Sequence, residues 1–192
     1  RQSSRLQELA EKLSIVDRGV KECTPSPPSF DDDFLPALGE NLEGAERAKW
    51  IVNRIEEIER IVGKLPSIAL FVDGEEKIDT LVAEISDLLA ERSINIVACK
   101  DGRSVGEAED IRVFDIRHIK GLEFEAVFFI GVDSLAKSIP DLFHRYLYVG
   151  VTRAATYLGI TCERTIPELL EPLRGQFTIS WWGFVEGSIS SS

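Results

Sequence analysis

The run from Phe124 to Val132, FEAVFFIGV, constrains the fold of this chain more than any other segment. Its residues are almost wholly apolar and rich in Phe, Val and Ile, and it is short enough to be a strand covered on both faces. Strands of this kind occur in parallel sheets that are flanked by helices. Ligands of open α/β sheets bind at the loops beyond the strand ends, so the residues beside this run are the first candidates for a functional site.

Other elements alternate along the chain and predict an α/β domain. Apolar residues at helical spacing predict helices, and short apolar runs predict further strands. The predicted helices span 3–13, 45–62, 75–91, 140–155 and 166–173, and the further strands span 14–21, 67–72, 94–98, 111–116 and 157–161. Residues 23–41 contain four prolines and predict a surface loop. The order strand, helix, strand at 67–98 favours parallel pairing of its two strands, within a mostly parallel sheet that has helices on both faces.

Charged tetrads precede two of the predicted strands. Lys120-Gly121-Leu122-Glu123 comes directly before the apolar run, and Val151-Thr152-Arg153-Ala154 comes shortly before the strand at 157–161. Charged residues in loops at strand ends are candidates for contact with a phosphate or a nucleotide. For either tetrad alone, a solvated Lys-Glu pair or a surface arginine is an equal alternative. The presence of both in one chain favours a shared function.

The pattern K-G-L-E-F-x-x-V-F-x-x-G, followed by Y-V-x-V-T-R-A, resembles motifs V and VI of the UvrD/Rep-type superfamily 1 DNA helicases. The resemblance implies a RecA-like domain of the P-loop-NTPase type, a three-layer sandwich that serves as the second (2A-type) motor domain. It also implies that Gly121 and Glu123 lie at the nucleotide, and that Arg153 is a catalytic arginine finger on the γ-phosphate. Arginine suits this role because its planar, permanently charged fork can neutralise charge on phosphate oxygens in the transition state.

The same resemblance supplies further candidate contacts. The loop leading into motif V touches the DNA backbone in this family, which implies DNA contacts at Arg117, His118 and Lys120. Surface charge is the alternative for Arg117, surface exposure or packing is the alternative for His118, and Lys120 can instead pair with Glu123. The opening residues R-Q-S-S-R-L resemble motif IV, which would make Arg1 a second contact to the nucleotide phosphates. The alternative there is an amphipathic helix with a charged first turn.

A phosphate loop of the form G-x-x-x-x-G-K-[ST] does not occur in the sequence, since Gly63-Lys64 is followed by Leu65. We therefore expect the chain alone neither to bind ATP tightly nor to hydrolyse it. The resemblance implies that ATP and Mg²⁺ are held mainly by a first RecA-like domain of the same full-length protein. Asp73, at the end of an apolar strand, has a Walker-B-like position, but without a phosphate loop that interpretation is not favoured. No metal site is predicted.

Two departures from the family pattern constrain the function. Only residues 100–110 fill the position at which UvrD/Rep-type enzymes insert a large (2B-type) accessory subdomain, so we expect that subdomain to be absent. The family usually shows Thr-x-His ahead of K-G-L-E, whereas this chain has Asp115-Ile116-Arg117. An aspartate near a DNA phosphate would repel it. Arg117 and His118 can compensate by supplying positive charge close by.

Charge and cysteine content limit the partners and the environment. The net charge of −11 argues against a stand-alone nucleic-acid-binding protein, because such proteins usually carry a basic face. Three widely spaced cysteines form neither a zinc nor a disulfide pattern, and predict a reducing, cytoplasmic location. No apolar run is long enough for a membrane span.

One domain accounts for the chain in this interpretation. We expect a helicase C-terminal RecA-like domain over residues 1–180, with a proline-rich acidic loop at 22–43, followed by a partly disordered tail at 181–192. The predicted function is the second motor domain of an ATP-dependent DNA helicase or translocase. Its partners would be single-stranded or partly duplex DNA and the N-terminal RecA-like domain.

A non-catalytic, helicase-like module that binds a protein partner is the alternative function. The acidic balance and the altered residues ahead of Lys120 favour this alternative. The presence of both Glu123 and Arg153 disfavours it, because a module that no longer uses ATP has no reason to keep them.

Overall fold

A computed structural model describes residues 2–18, 34–119 and 121–182. Within them, six strands form one sheet in the order β1-β6-β5-β2-β4-β3. The strands are β1 (Ala37–Gly39), β2 (Ile68–Val72), β3 (Ile96–Cys99), β4 (Ile111–Asp115), β5 (Phe124–Phe129) and β6 (Ala154–Thr161). Every neighbouring pair of these strands is parallel. This confirms the predicted α/β class, and the sheet of described strands is fully parallel where a mostly parallel one was predicted.

Helices cover both faces of the sheet. The described α-helices are α1 (Ser4–Arg18), α2 (Gly44–Val62), α3 (Glu76–Ala90), α4 (Val132–Ser138) and α5 (Phe143–Val151). A 3-10 helix, Glu168–Gln176, follows β6 where a short helix was expected from the sequence. None of the described helices has both the length and the apolar character that crossing a membrane requires.

Two hydrophobic cores lie on opposite sides of the sheet. One core contains residues of α1, α4 and α5, and the other contains residues of α2 and α3. Successive residues of β2 serve the two cores in turn, so that Phe71 belongs to the first core and Leu70 to the second. Both side chains are fully buried, as expected for a strand covered on both faces. This arrangement confirms the three-layer sandwich.

The close approach of α5 to β5 positions the second tetrad. Gly150 is the next-to-last residue of α5, and a Cβ atom there would be 2.8 Å from the ring of Phe129. That contact is too short for a side chain, so the absence of a Cβ lets the helix rest directly on the strand. Arg153 consequently follows a helix whose end is fixed against the sheet.

Two sequence-based assignments near helix ends are wrong. Residues 14–18, predicted to belong to a strand, instead extend α1 to Arg18, and residues 19–21 lie outside the described part of the chain. A helix that has already formed gains a backbone hydrogen bond with each added residue. The strand predicted to reach Val132 ends at Phe129, and Val132 begins α4. Gly131 separates the two elements with a positive φ of 69°.

The pairing of the edge and central strands also differs from expectation. β1 lies within the stretch that was predicted to be a loop. It pairs with β6 in a register that places Ala37 opposite Gly159 and Gly39 opposite Thr161. A buried strand of three residues is too short to produce a periodic signal. β2 and β3 are parallel, but they are not neighbours because β4 lies between them. Residues 19–33, which hold most of the predicted proline-rich loop, lie outside the described residues.

The last described residues pack onto the body of the domain. Thr178 extends the sheet beyond β1, since its N–H donates to the Pro36 carbonyl and its own carbonyl accepts from the Leu38 N–H, both at 2.8 Å. Trp181 is fully buried in the core on the α2 side. Its backbone N–H donates to Glu57 Oε2 at 3.0 Å. The structure does not describe residues 183–192.

Candidate functional site

The two charged tetrads meet at the amino-terminal ends of β5 and β6. Phe124 opens β5 in register with Ala154, which opens β6, and the Phe124 N–H donates to the Arg153 carbonyl at 2.9 Å. Glu123 and Arg153 therefore directly precede the paired first residues of two neighbouring strands, and such strands are about 4.8 Å apart. We call the surface formed by residues 2–3, 121–123 and 151–156 the amino edge.

Arg153 uses only part of its hydrogen-bonding capacity. Its Nη1 donates one long hydrogen bond of 3.4 Å to the Leu122 carbonyl, and its Nε is buried without an acceptor. Within the described residues Arg153 forms no ion pair, whereas Arg47 and Arg174 each bind a carboxylate at 2.7 Å. A buried donor without an acceptor costs about 1–3 kcal/mol. An anion that reached this guanidinium would therefore meet both a net charge and unused donors.

The start of α1 lies beside the second tetrad. The Gln2 side-chain amide donates to the Val151 carbonyl at 3.0 Å, and the Ser3 N–H donates to the Ala155 carbonyl at 2.7 Å. The segment that resembles motif IV is thus joined to the segment that resembles motif VI. The predicted contact residue Arg1 lies outside the described residues.

The first tetrad contributes an open, exposed turn to the amino edge. Glu123 is exposed and forms no ion pair with Arg153. Gly121 is also exposed, and its φ of 66° lies in the left-handed region that glycine adopts without strain. No neighbouring atom approaches the position of its absent Cβ within 4 Å. Lys120 is not among the described residues, so its predicted DNA contact and its alternative pairing with Glu123 remain predictions.

A second charged cluster lies at the carboxyl-terminal end of β4. Asp115 ends the strand with a carboxylate that is 1% exposed, and Arg117 closes onto it. The Arg117 Nε lies 3.0 Å and 2.9 Å from the two carboxylate oxygens, and Nη2 lies 2.7 Å from Oδ2. The Arg117 backbone N–H also donates to Oδ1 at 3.0 Å. These hydrogen bonds are the main reason that the pKa of Arg117 is raised.

The environment of this ion pair is acidic. His118 is half-exposed, with its Nδ1 3.8 Å from Asp115 Oδ2. Glu76, at the start of α3, adds negative charge near the guanidinium and also raises the Arg117 pKa. Asp115 is thus buried and paired, and not exposed to the solvent as a simple repulsive charge. Its effect is to engage the arginine that was expected to compensate for it.

The candidate residues are divided between opposite ends of the sheet. β4 and β5 run in the same direction, so the carboxyl end of β4 and the amino end of β5 lie at different edges. Arg117 and His118 are at the first edge, whereas Gly121 and Glu123 are at the second. Residues 116–119 therefore lie at the first edge, and residues 121–123 at the second. Sequence spacing alone did not reveal this separation.

A crevice that the sequence interpretation missed lies between the carboxyl ends of β2 and β5, with a volume of about 210 Å³. Asp73 lines it with a carboxylate that is 4% exposed, and is bound by Lys77 at 2.5 Å and by Ser134 at 3.4 Å. On another side, Arg47 is bound to Glu84. The signal that could have found this crevice is the position of Asp73 directly after a buried strand.

The connection between β3 and β4 is short and internally bonded. Arg112 closes it, donating from Nε to the Val105 carbonyl at 3.1 Å and from Nη2 to the Glu107 carbonyl at 2.5 Å. The Glu107 N–H donates in turn to Asp110 at 2.7 Å. Residues 100–110 therefore form a compact turn, and no subdomain is inserted between these strands.

Comparisons with known proteins agree with this description. Residues 110–161 match the family model of the UvrD-like helicase C-terminal domain. No curated protein matches the chain. Among solved structures, the C-terminal domain of a possible DNA helicase from Lactobacillus plantarum WCFS1 is similar, with a TM-score of 0.61 and 16% identity, over 88% of this chain and 91% of that one. At this identity the likeness shows the fold alone.

The matched segment begins one residue before β4 and ends with the last residue of β6. It contains both charged tetrads and the Asp115–Arg117 pair, and so includes most of the amino edge. The fold outside this segment is also shared with the solved helicase domain. Residues 110–161 are thus similar to the UvrD-like helicase C-terminal domain, and the described chain has a three-layer α/β fold without a subdomain inserted between β3 and β4.

Proposed function

We propose that this chain is the second motor domain of an ATP-driven DNA helicase or translocase. It would complete an ATP site that the first RecA-like domain of the same protein mainly forms. The observation that carries the proposal is the alignment of Glu123 and Arg153 at the amino edge, with Arg153 incompletely hydrogen-bonded. The helicase family of the matched segment supports the same context.

Arg153 would act across the interface between the two motor domains. Because no carboxylate of the described residues engages it, its guanidinium keeps a full positive charge and unused N–H donors. Closure of the domains would bring these donors against the γ-phosphate, where negative charge is spread over several oxygens in the transition state. An arginine in this position can accelerate phosphoryl transfer by about a thousandfold or more.

The described residues fit an ATP contact but not a complete ATP site. Glu123 is exposed and Gly121 forms an open turn, so both can approach a nucleotide held by another domain. The sequence offers no phosphate loop, so the phosphate cradle, the Mg²⁺ ligands and the base that activates water would belong to the first domain. When bound, ATP with Mg²⁺ supplies the phosphoryl group. This chain alone would then be inactive.

DNA contact would be weak in this chain and would involve the segment that leads into the first tetrad. His118 is half-exposed there, and Lys120 follows it in the sequence, whereas Arg117 is engaged by Asp115. The net charge of −11 further limits attraction to DNA. We expect about one to three phosphate contacts, and therefore a shallow dependence of affinity on salt.

A non-catalytic, helicase-like module that binds a protein partner is the second candidate. The observation that favours it is the closed Asp115–Arg117 pair, which leaves little free positive charge for DNA at the end of β4. Arg153 supports the motor, because no carboxylate of the described residues engages it and its guanidinium can meet a phosphate.

The test replaces Arg153 by alanine in the intact protein, with Arg164→Ala as a matched control. Arg164 follows the same strand, β6, but lies at its other end, with a side chain that is 75% exposed. We expect Arg153→Ala to lower DNA-stimulated ATP turnover by about 100-fold or more, with ATP binding affected much less. Arg164→Ala should retain turnover near the original rate.

Two results would decide between the candidates. Normal turnover in Arg153→Ala would eliminate the arginine finger. An intact protein without any DNA-stimulated ATP turnover would favour the non-catalytic module. Turnover by the purified chain alone, in proportion to its concentration and lost in Arg153→Ala, would show that the chain holds a phosphate site of its own.

A further inference from the structure

We propose that Asp115 acts as an affinity-lowering residue, which holds Arg117 in a closed ion pair and withholds it from DNA phosphates. The inference rests on the proposed function, in which this chain meets DNA. It concerns a residue for which sequence reasoning suggested only direct repulsion. The geometry assigns it a different effect, in which the aspartate removes a cation from the surface that would face DNA.

The Asp115–Arg117 ion pair uses both oxygens of the carboxylate. Three side-chain contacts of 2.7–3.0 Å join the guanidinium to the carboxylate, and a backbone N–H adds a fourth. Pairs in which two guanidinium nitrogens reach one carboxylate are among the strongest hydrogen-bonded contacts between side chains. A phosphate would have to compete with all of the side-chain contacts to take over Arg117.

The two side chains of the pair differ greatly in burial. The Asp115 side chain is 1% exposed, whereas the Arg117 side chain is 43% exposed. If the guanidinium moved to a phosphate, the carboxylate could not move to the solvent with it. It would be left as a buried charge without its partner, which is strongly unfavourable. Separation of the pair is therefore unfavourable, because it would leave the buried Asp115 carboxylate without its counter-charge.

The Asp115–Arg117 pair carries no net charge. Affinity for nucleic acid grows through cations that replace the counterions of phosphates. An arginine that is already neutralised by a carboxylate contributes no such net charge, even though part of its guanidinium is exposed. Lys100, the neighbouring cation at the end of β3, is also engaged, with its Nζ 2.6 Å from Asp79. Arg117 and Lys100 are thus both neutralised at this end of the sheet, whereas the exposed Arg103 forms no ion pair with the described residues.

The experiment measures binding of a fluorescent single-stranded oligonucleotide to the intact protein by anisotropy, across a series of salt concentrations. In Asp115→Asn the pair loses its negative charge while the amide oxygen can still accept the Arg117 N–H. We expect the slope of log affinity against log salt to steepen by about 0.7, and affinity at 0.1 M salt to rise about fivefold.

Three further variants separate the release of Arg117 from other effects. Arg117→Gln alone should leave the salt slope unchanged, because an arginine paired with Asp115 replaces no phosphate counterion, although the uncovered carboxylate lowers affinity by repulsion. The double variant Asp115→Asn/Arg117→Gln should return to the affinity and the salt slope of the original protein. Glu109→Gln, an exposed position in the β3–β4 connection, removes one negative charge elsewhere. It should leave the salt slope unchanged.

Each other outcome contradicts the proposal. A salt slope that is shallower by about 0.7 in Arg117→Gln would show that Arg117 already contacts a DNA phosphate, and this result does not depend on how well Asp115→Asn folds. An unchanged salt slope in folded Asp115→Asn, with the original protein binding DNA, would overturn this inference alone. Absence of both DNA binding and DNA-stimulated ATP turnover in the original protein would overturn the proposed function together with it.

Discussion

Arg153 and Arg117 lie at opposite ends of the sheet and are used in opposite ways. Arg153 has one long hydrogen bond, a buried Nε without an acceptor and no described ion pair. Two guanidinium nitrogens of Arg117 donate hydrogen bonds to the buried carboxylate of Asp115. Both residues are arginines in or beside motif-like segments, and both were candidates for contact with phosphates. The difference teaches that the partners already present within the chain decide whether an arginine is available to a ligand.

The largest expected effect comes from replacing each arginine by lysine in the intact protein. Arg153→Lys keeps the charge but loses the planar fork, so we expect DNA-stimulated ATP turnover to fall by about tenfold or more. Arg117→Lys should keep DNA-stimulated ATP turnover within about twofold of the original rate, since the Arg117 guanidinium binds Asp115 and not a nucleotide. Steady-state ATPase measurements at saturating DNA compare the two. Equal losses in both variants would refute the contrast between these arginines.

A smaller effect is expected on stability when Asp115 is replaced by alanine. The substitution removes the acceptor for the Arg117 side chain and for its backbone N–H. We expect the free energy of unfolding of the chain to fall by about 1–2 kcal/mol, the upper limit being set by solvent screening of the half-exposed Arg117. Urea unfolding followed by circular dichroism measures this loss. Glu109→Ala is the control, and a shift as large in that variant would contradict the explanation.

The smallest effect is expected when Arg153 is replaced by methionine. The methionine side chain can keep the packing of the arginine stem, and only one long hydrogen bond is lost. Because the buried Nε is unsatisfied in the original protein, its removal carries no penalty. We therefore expect the free energy of unfolding to stay within about 0.5 kcal/mol of the original, or to rise. A loss comparable to that of Asp115→Ala would mean that Arg153 is structural.

The sequence allowed the sheet and its main helices to be predicted, because their signals are strong and local. β5 is a dense apolar run, and α2 places Ala48, Ile51, Ile55 and Ile58 at helical spacing on one buried face. The three-residue β1 could not be predicted in the same way. Its burial depends on β6 and on Thr178, which come much later in the sequence.

The candidate site was predictable in its residues but not in its contacts. The K-G-L-E and V-T-R-A tetrads identify Glu123 and Arg153, and the register of β5 with β6 then aligns them. The pairing of Asp115 with Arg117 could not be read from spacing, because residues two apart in a strand or loop do not generally meet. It depends on the 3-10 turn at Ile116–His118, which folds the arginine back over the end of β4. The roles of these residues in ATP and DNA binding remain predictions.

The hydrogen bonds of β1 and α1 to distant residues also limit the order in which parts of this protein can fold. β1 hydrogen-bonds to β6 and to Thr178, and the Ser3 N–H hydrogen-bonds to Ala155. Early residues of the chain are thus completed by late ones, and such distant pairings slow folding because a long loop must close before they form. During synthesis, β1 and the start of α1 would wait for residues of the domain that are synthesised much later. The surface that holds Arg153 would then be among the last parts of the domain to become native.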